Sequence, residues 1–343
     1  MFKAWACDEP KGTLHEWSYE PRPLGPNDVE LKVICCGICG SDIHTMDSDW
    51  GPTKYPVVVG HEIIGTVVSK GDAVTNLQVG DRVGVGAQVA ACLKSDCTAC
   101  SRELDPHCPE SVFTYNGVYA DGASSYGGYS EAVRVDANYA FKIPEKISSA
   151  EAAPLMCAGA TVFTPMLKFG LKKGDRVGVV GIGGLGHLAI QYASALGCEV
   201  TAFSHSPNKK EESMKLGAHK FVITKNEDES KSCVKSLDYL FVTSNSSSND
   251  YATFFSWVDF GGKICLLAVP AADLVLKPFL FISYEVYLGG SLIGGVDSIK
   301  KTLEFSAEHN IRPVIERLPM SSCNEGVQRV RDGKVRYRVV LEN

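Results

Sequence analysis

The sequence of 343 residues has no excess of positive charge: 34 lysines and arginines stand against 40 aspartates and glutamates, a formal net charge of −6. Nucleic acid and anionic membrane surfaces are not attracted by such a balance, so neither is expected as a main partner. The opening stretch MFKAWACDEPKG lacks the positive segment and apolar core of a secretory leader, and no uninterrupted apolar run approaches the length that spans a bilayer. The expected compartment is the cytosol. There, the 13 cysteines are expected as thiols and metal ligands, not as a disulfide framework. Internal repeats are absent, and the only compositionally biased segment is the serine-rich turn Ser244 to Asn249, read as a loop.

What the chain does contain is organised around Arg176 to Lys210. The short β-branched run Val177 to Val180 suits a central parallel strand and leads into Gly181, Gly183 and Gly186, the spacing G-x-G-x-x-G. The first glycine permits a tight turn, the second lets backbone N–H groups approach a pyrophosphate, and the third allows close helix-to-strand packing. An apolar-faced helix (Leu185, Leu188, Ala189, Tyr192, Leu196) and a second strand at Glu199 to Phe203 follow, which is the context a dinucleotide site requires.

The length predicts about two domains. Residues 1–149 are strand-and-turn territory, with β-rich runs at Val29 to Val33, Ile63 to Val68 and Arg82 to Val85, so an antiparallel, partly barrel-like domain is expected. The texture changes around Ser148 to Pro154. Residues 150–290 should form a doubly wound α/β sheet with further strands at Phe221 to Thr224, Asp238 to Val242 and Ile264 to Val269. From Ser291, a short strand, a helix near Ser298 to His309 and a terminal run Val335 to Leu341 suggest that residues 291–343 return to the first domain.

The chemistry begins at Gly37 to His44, which packs a thiol, a hydroxyl, a carboxylate and an imidazole into six residues. Gly60-His61-Glu62 adds an imidazole and a carboxylate, and Cys157 adds a second thiol. Two cysteines and one histidine with an open fourth position make a catalytic zinc site.

Seven motifs in order, CGICGSDIH, GHEIIGTVV, GDRVGVG, YGGYSE, PLMCAGATVF, GIGGLGHLAIQ and RYRVV, make the chain resemble the zinc-dependent medium-chain alcohol dehydrogenases, in their NADP-dependent cinnamyl alcohol dehydrogenase-like branch. The resemblance implies a β-rich GroES-like catalytic domain beside a Rossmann domain. It implies that Cys39, His61 and Cys157 bind the catalytic zinc, with Glu62 as an alternative ligand and Asp42 orienting His61. Ser41 and the cofactor ribose would pass a proton to His44. Gly181, Gly183, Gly184, Leu185, Gly186 and Thr161 would lie at the cofactor. Cys92, Cys97, Cys100 and Cys108 read as a closed structural zinc site, although the spacing C-x4-C-x2-C-x7-C exceeds the family pattern by two residues in the first interval.

No acid stands between Glu199 and Glu211, where an NAD enzyme places one for the ribose 2′-hydroxyl. Ser204, Ser206 and Lys209 match the branch's 2′-phosphate positions, so NADP(H) is the expected cofactor. Trp50, Tyr55 and the segment Phe113 to Tyr126 are candidate linings of an apolar pocket suited to aryl or medium-chain aldehydes. The expected activity is that of an aldehyde reductase on a small-molecule substrate. An NAD-linked polyol or secondary-alcohol dehydrogenase and a non-catalytic dinucleotide-binding relative are the alternatives. The Tyr287 to Gly295 segment resembles the edge at which family members pair, so a homodimer is expected.

Overall fold

In the computed structural model, which describes residues 1–270 and 273–343, the glycine-turn region forms as its pattern requires. The strands in chain order are β1 (Phe2–Ala6), β2 (His15–Tyr19), β3 (Asp28–Ile38), β4 (Glu62–Lys70), β5 (Arg82–Val85), β6 (Gln88–Ala90), β7 (Val112–Phe113), β8 (Ala132–Asp136) and β9 (Phe141–Lys142). They continue as β10 (Arg176–Val180), β11 (Glu199–Ser204), β12 (Lys220–Ile223), β13 (Leu237–Val242), β14 (Val258–Leu266), β15 (Tyr287–Gly290), β16 (Ile315–Pro319) and β17 (Arg338–Glu342). Two units result: Met1–Ala160 with Ile293–Asn343, and Thr161–Leu292. The second is contiguous and interrupts the first.

The second unit is built on a fully parallel sheet of order β12-β11-β10-β13-β14-β15. Counted from β10 this is 3-2-1-4-5-6, the order whose reversal creates a dinucleotide crevice beyond the carboxyl ends of the strands. Burial on both faces explains why β10 and β13 read as continuous apolar runs: Val177, Val179, Leu240 and Phe241 are fully inaccessible. Strand β14 stops at Leu266, short of the Val269 expected from sequence.

A correction concerns the stretch after Ser291. The short strand expected there does not form, and the chain runs as coil into the helix Val296–Glu308. Likewise only Tyr287–Gly290 of the expected Tyr287 to Gly295 edge is strand. The reason is local: Ile293 takes a positive φ of 38°, which extended backbone does not accommodate.

In the first unit β3 is the hub. It pairs antiparallel with β4, β8 and β17, and β17 in turn pairs in parallel with β16. The pairing Val340↔Gly37 brings the last strand of the chain back beside the first long one. The chain leaves this unit at Ala160, inside the helical segment Ser149–Phe169, whose start carries a reciprocal cap between Ser148 and Glu151. That segment is long and apolar enough to cross a bilayer by length and composition, which the sequence reading did not anticipate. Its most apolar window is nevertheless 83% buried inside the protein, the pattern of a core helix.

Three strands of the parallel sheet are tied at their amino ends by one guanidinium. Arg176 of β10 donates to Asp238 Oδ1 of β13 at 2.6 Å and to Asp259 Oδ2 at 2.9 Å, at the start of β14. Its hydrogen bonds hold both carboxyls below the ordinary aspartate range. Carboxyls with lowered folded-state pKa values add stability that is present above the unfolded value near pH 4 and is lost as pH falls through the folded one. All three side chains are partly exposed and therefore screened. Arg176→Met should lower stability by about 1 kcal/mol at neutral pH and flatten the acid limb of the stability curve, as read by urea denaturation from pH 3 to pH 7.

Candidate active site

β3 runs from Ile38 almost directly into the helix Gly40–Met46, so Cys39, Ser41, Asp42 and His44 leave the sheet together. β4 begins at Glu62, immediately after His61, and Gly37 lies opposite Glu62 across the antiparallel pair. Adjacent strand ends thus deliver Cys39 and His61 to one place. Cys157 arrives from a wide π-type turn, Leu155–Gly159, that follows the helix Ser149–Pro154 packed on β3, β4 and β17. Such widened turns occur frequently at functional sites.

The ligand-type atoms of Cys39, His61, Glu62 and Cys157 all lie within 4.8 Å of one another. His61 Nε2 is 3.0 Å from Cys157 Sγ. Its Nδ1 faces Asp42 Oδ1 at 3.1 Å and the Tyr115 hydroxyl at 2.9 Å, which leaves Nε2 to coordinate. Asp42, fully buried, also accepts from Cys39 N (2.8 Å), Gly60 N (3.1 Å) and the Tyr129 hydroxyl (3.3 Å). It is therefore fixed before it orients anything. Glu62 gives one carboxylate oxygen to Arg338, while its Oε2 is buried without a partner.

The charges in this cluster are strongly interdependent. A hydrogen bond from Cys157, together with the nearby His61, pulls the Cys39 thiol well below its ordinary range against burial. The same bond and burial push Cys157 up. Burial disfavours a charged His61, yet Asp42 and Cys39 outweigh it and raise its pKa. Burial also raises Glu62, with Arg338 pulling the other way. Two sulfurs, an imidazole and an orphaned carboxylate oxygen in one largely buried cluster are a donor set that zinc fits.

The second cluster answers the question raised by its spacing. Sulfur separations are 3.5 Å for Cys92–Cys108, 3.7 Å for Cys92–Cys100 and 4.0 Å for Cys97–Cys108. Four thiolates around a tetrahedral zinc at Zn–S of about 2.3 Å stand about 3.8 Å apart. The fit is close. The two extra residues are absorbed in a turn where Leu93 takes a φ of 48°.

At the glycine turn, Gly181 has a φ of 91°, and a Cβ on Gly186 would lie 1.8 Å from Gly181 O. A Cβ on Gly183 would meet nothing within 4 Å, the open space that an approaching phosphate needs. Gly184 and Leu185 complete the turn, with Leu185 as N-cap of the helix Gly186–Ala195. Ser204 ends β11, and its hydroxyl accepts from Ser206 N at 3.1 Å. Lys209 closes the short turn Pro207–Lys209, and Thr161 lies buried at the start of the helix Ala160–Phe169.

Ser41 Oγ is 3.6 Å from Cys39 Sγ, beside the metal-type cluster. His44 is half-buried, pairs through Nδ1 with Asp49 Oδ2 at 2.9 Å and stacks on Trp50 at 4.5 Å. Ser41 and His44 are not hydrogen-bonded to each other. Of the aromatics named from sequence, Trp50 covers His44 and Tyr115 touches His61, whereas Tyr55 is tied to Met46 O at 2.8 Å. Two residues of the site are not singled out individually by the sequence. Tyr115 was visible only as one aromatic among several, and Arg338 only as part of RYRVV.

Residues 25–145 match the family described as alcohol dehydrogenase GroES-like domain, and residues 184–308 match zinc-binding dehydrogenase. Over 340 residues the chain is 39% identical to 8-hydroxygeraniol dehydrogenase of Catharanthus roseus, covering 98% of this chain and 94% of that one. Among solved structures, a cinnamyl alcohol dehydrogenase from Sorghum bicolor superposes with a TM-score of 0.95 at 35% identity, covering 99% and 97% of the two chains. The CAD from Helicobacter pylori complexed with NADP(H) does so with 0.92 at 32% identity, covering 99% and 97%.

Elemental analysis of the purified protein should find two zinc ions per chain, falling to one in Cys100→Ser. Arg338→Met, which leaves Glu62 buried without its counter-charge, should lower stability by about 3 kcal/mol in chemical denaturation.

Proposed function

The chain belongs to the zinc-dependent medium-chain alcohol dehydrogenases, on their cinnamyl alcohol dehydrogenase-like branch, and from that premise we propose that it works as an NADPH-linked reductase of aromatic or medium-chain aldehydes. The observation that carries the reading is the convergence of Cys39, His61 and Cys157 in one largely buried cluster with Asp42 fixed behind His61. These three residues hold the catalytic zinc, Glu62 stands by as a transient ligand, and Cys92, Cys97, Cys100 and Cys108 hold the structural one. Bound there, zinc supplies Lewis-acid stabilisation of charge on the substrate oxygen, and the nicotinamide carries the hydride.

The chain's own residues manage the proton. The Ser41 hydroxyl, beside Cys39, is placed to exchange a proton with the substrate oxygen, and His44 exchanges it with solvent. Passage between the two needs a bridging hydroxyl or water, since they share no direct bond. Trp50 packs on the His44 imidazole and Tyr115 on that of His61.

NADP(H) is favoured because Ser204, Ser206 and Lys209 offer hydroxyls and a cation to a 2′-phosphate in a turn without a carboxylate. Gly181, Gly183, Gly184, Leu185, Gly186 and Thr161 complete the cofactor reading. A homodimer is supported by the edge strand β15, which among the described residues pairs only with β14, and by the helix Pro278–Tyr284, where Phe279 is 72% and Ile282 is 74% exposed. A thiol-rich chain of this kind suits a reducing compartment such as the cytosol.

Initial rates of cinnamaldehyde reduction should be much higher with NADPH than with NADH, and light scattering should give twice the 37.0 kDa chain mass. Equal or better turnover of a polyol with NAD would replace this reading by the polyol one. His44→Gln should slow turnover more at pH 7 than at pH 9, because hydroxide substitutes for the lost relay at high pH. An unchanged pH profile would remove His44 from the proton path.

A further inference from the structure

Within the first unit the two metal-type clusters are joined by a buried carboxylate that belongs to neither. Asp105 is 4% exposed. It opens the single turn Asp105–His107 that leads into Cys108, and its carbonyl accepts from Cys108 N and from Gln88 Nε2, both at 3.0 Å. The backbone of Asp105 is thus part of the four-cysteine loop.

Its side chain points elsewhere. Oδ1 and Oδ2 each lie 3.3 Å from Val296 N, and Oδ2 also accepts from the Tyr139 hydroxyl at 3.3 Å. Val296 begins the helix Val296–Glu308, whose own N-cap, Gly295, has no side chain to offer. Asp105 therefore caps this helix from a distant part of the chain, with the helix dipole favouring its charge. Gly295 makes room for it, since a Cβ there would come within 2.1 Å of Asp105 Oδ1.

The same helix reaches the other cluster. Ile299, buried one turn further on, packs toward the turn Leu155–Gly159. A Cβ on Gly86 would meet Met156 O at 2.8 Å and Ile299 Cδ1 at 3.2 Å, so Gly86 fills the narrow gap between that helix and the residue preceding Cys157.

We propose that Asp105 is a positioning residue that couples the two metal clusters. The cysteine loop fixes Asp105, Asp105 fixes the start of the helix, and the helix backs the turn that presents Cys157. The proposal rests on reading both clusters as zinc sites, and its consequence is that disturbing the outer loop loosens metal at the inner site without touching a ligand.

The test uses full-length protein with cobalt(II) in the Cys39–His61–Cys157 cluster, followed by its thiolate-to-cobalt and d–d absorption during challenge with excess dipicolinate. Asp105→Ala and Gly295→Ala should each shift the d–d bands and release cobalt about tenfold faster than wild type. The double variant should release it no faster than either single one, because both substitutions break one contact. Amide exchange should rise at residues 296–299 and 155–160 in the same variants. Arg176→Met, whose contacts lie in the other unit, should leave the cobalt bands unchanged and so controls for a general loss of stability. If the alanine variants do not fold, Asp105→Asn, equal in size but uncharged, goes through the same assay with the same expected direction. Wild-type bands and release rates, or additive effects in the double variant, would overturn the coupling. Failure of the wild-type cluster to take up cobalt would instead overturn the zinc reading beneath it.

Discussion

Glu62 has no exposure to water, and a buried carboxylate is costly unless a counter-charge is brought to it. That charge is Arg338, on a strand near the opposite end of the sequence. It arrives because β17 lies against β3, where Val340 faces Gly37, while Gly37 faces Glu62 on β4. Three strands are thereby held in one register, since a slip of a single residue would turn Arg338 to the other face of the sheet. Cys39 and His61 inherit their positions from the ends of β3 and β4, and the helix that leads to Cys157 packs on all three strands.

The parts of this structure that were legible in the sequence are those whose physics is local. The glycine turn was readable because a left-handed φ, an open approach and a close packing contact each demand glycine at a fixed offset. The strands β5, β10 and β13 were readable because short apolar runs bounded by turn residues have few other uses. Cys39, His61 and Cys157 stand out as residue types, and the structure brings them together.

What escaped has its cause in distance or in backbone conformation. Tyr115 meets His61 across 54 residues, and Arg338 meets Glu62 across 276, so no spacing pattern announces either. Asp105 caps a helix that begins at Val296, 191 residues further along the chain, and no local pattern announces such a contact. Ile293 carries a β-favouring side chain on a backbone that leaves the β region, which is why an expected strand is coil. The two clusters differ in the same spirit. The quartet of cysteines is partly exposed and made of like donors, while the inner cluster is buried, mixed and charge-coupled, where weak screening strengthens any field on a substrate.

The threading of the chain has a temporal side. Thr161–Leu292 is one uninterrupted piece, whereas the first unit needs Ile293–Asn343 before its central sheet is whole. During synthesis the inserted piece has all its strands in hand while Glu62 is still waiting for its cation. At roughly 5–20 residues per second, a separation of 276 residues is a wait of about 14–55 seconds. The half-made first unit therefore spends that interval with Glu62 lacking Arg338 and with the part of β3 that pairs with β17 exposed. Strand β17, which follows the inserted piece in the chain, closes that gap when it pairs with β3.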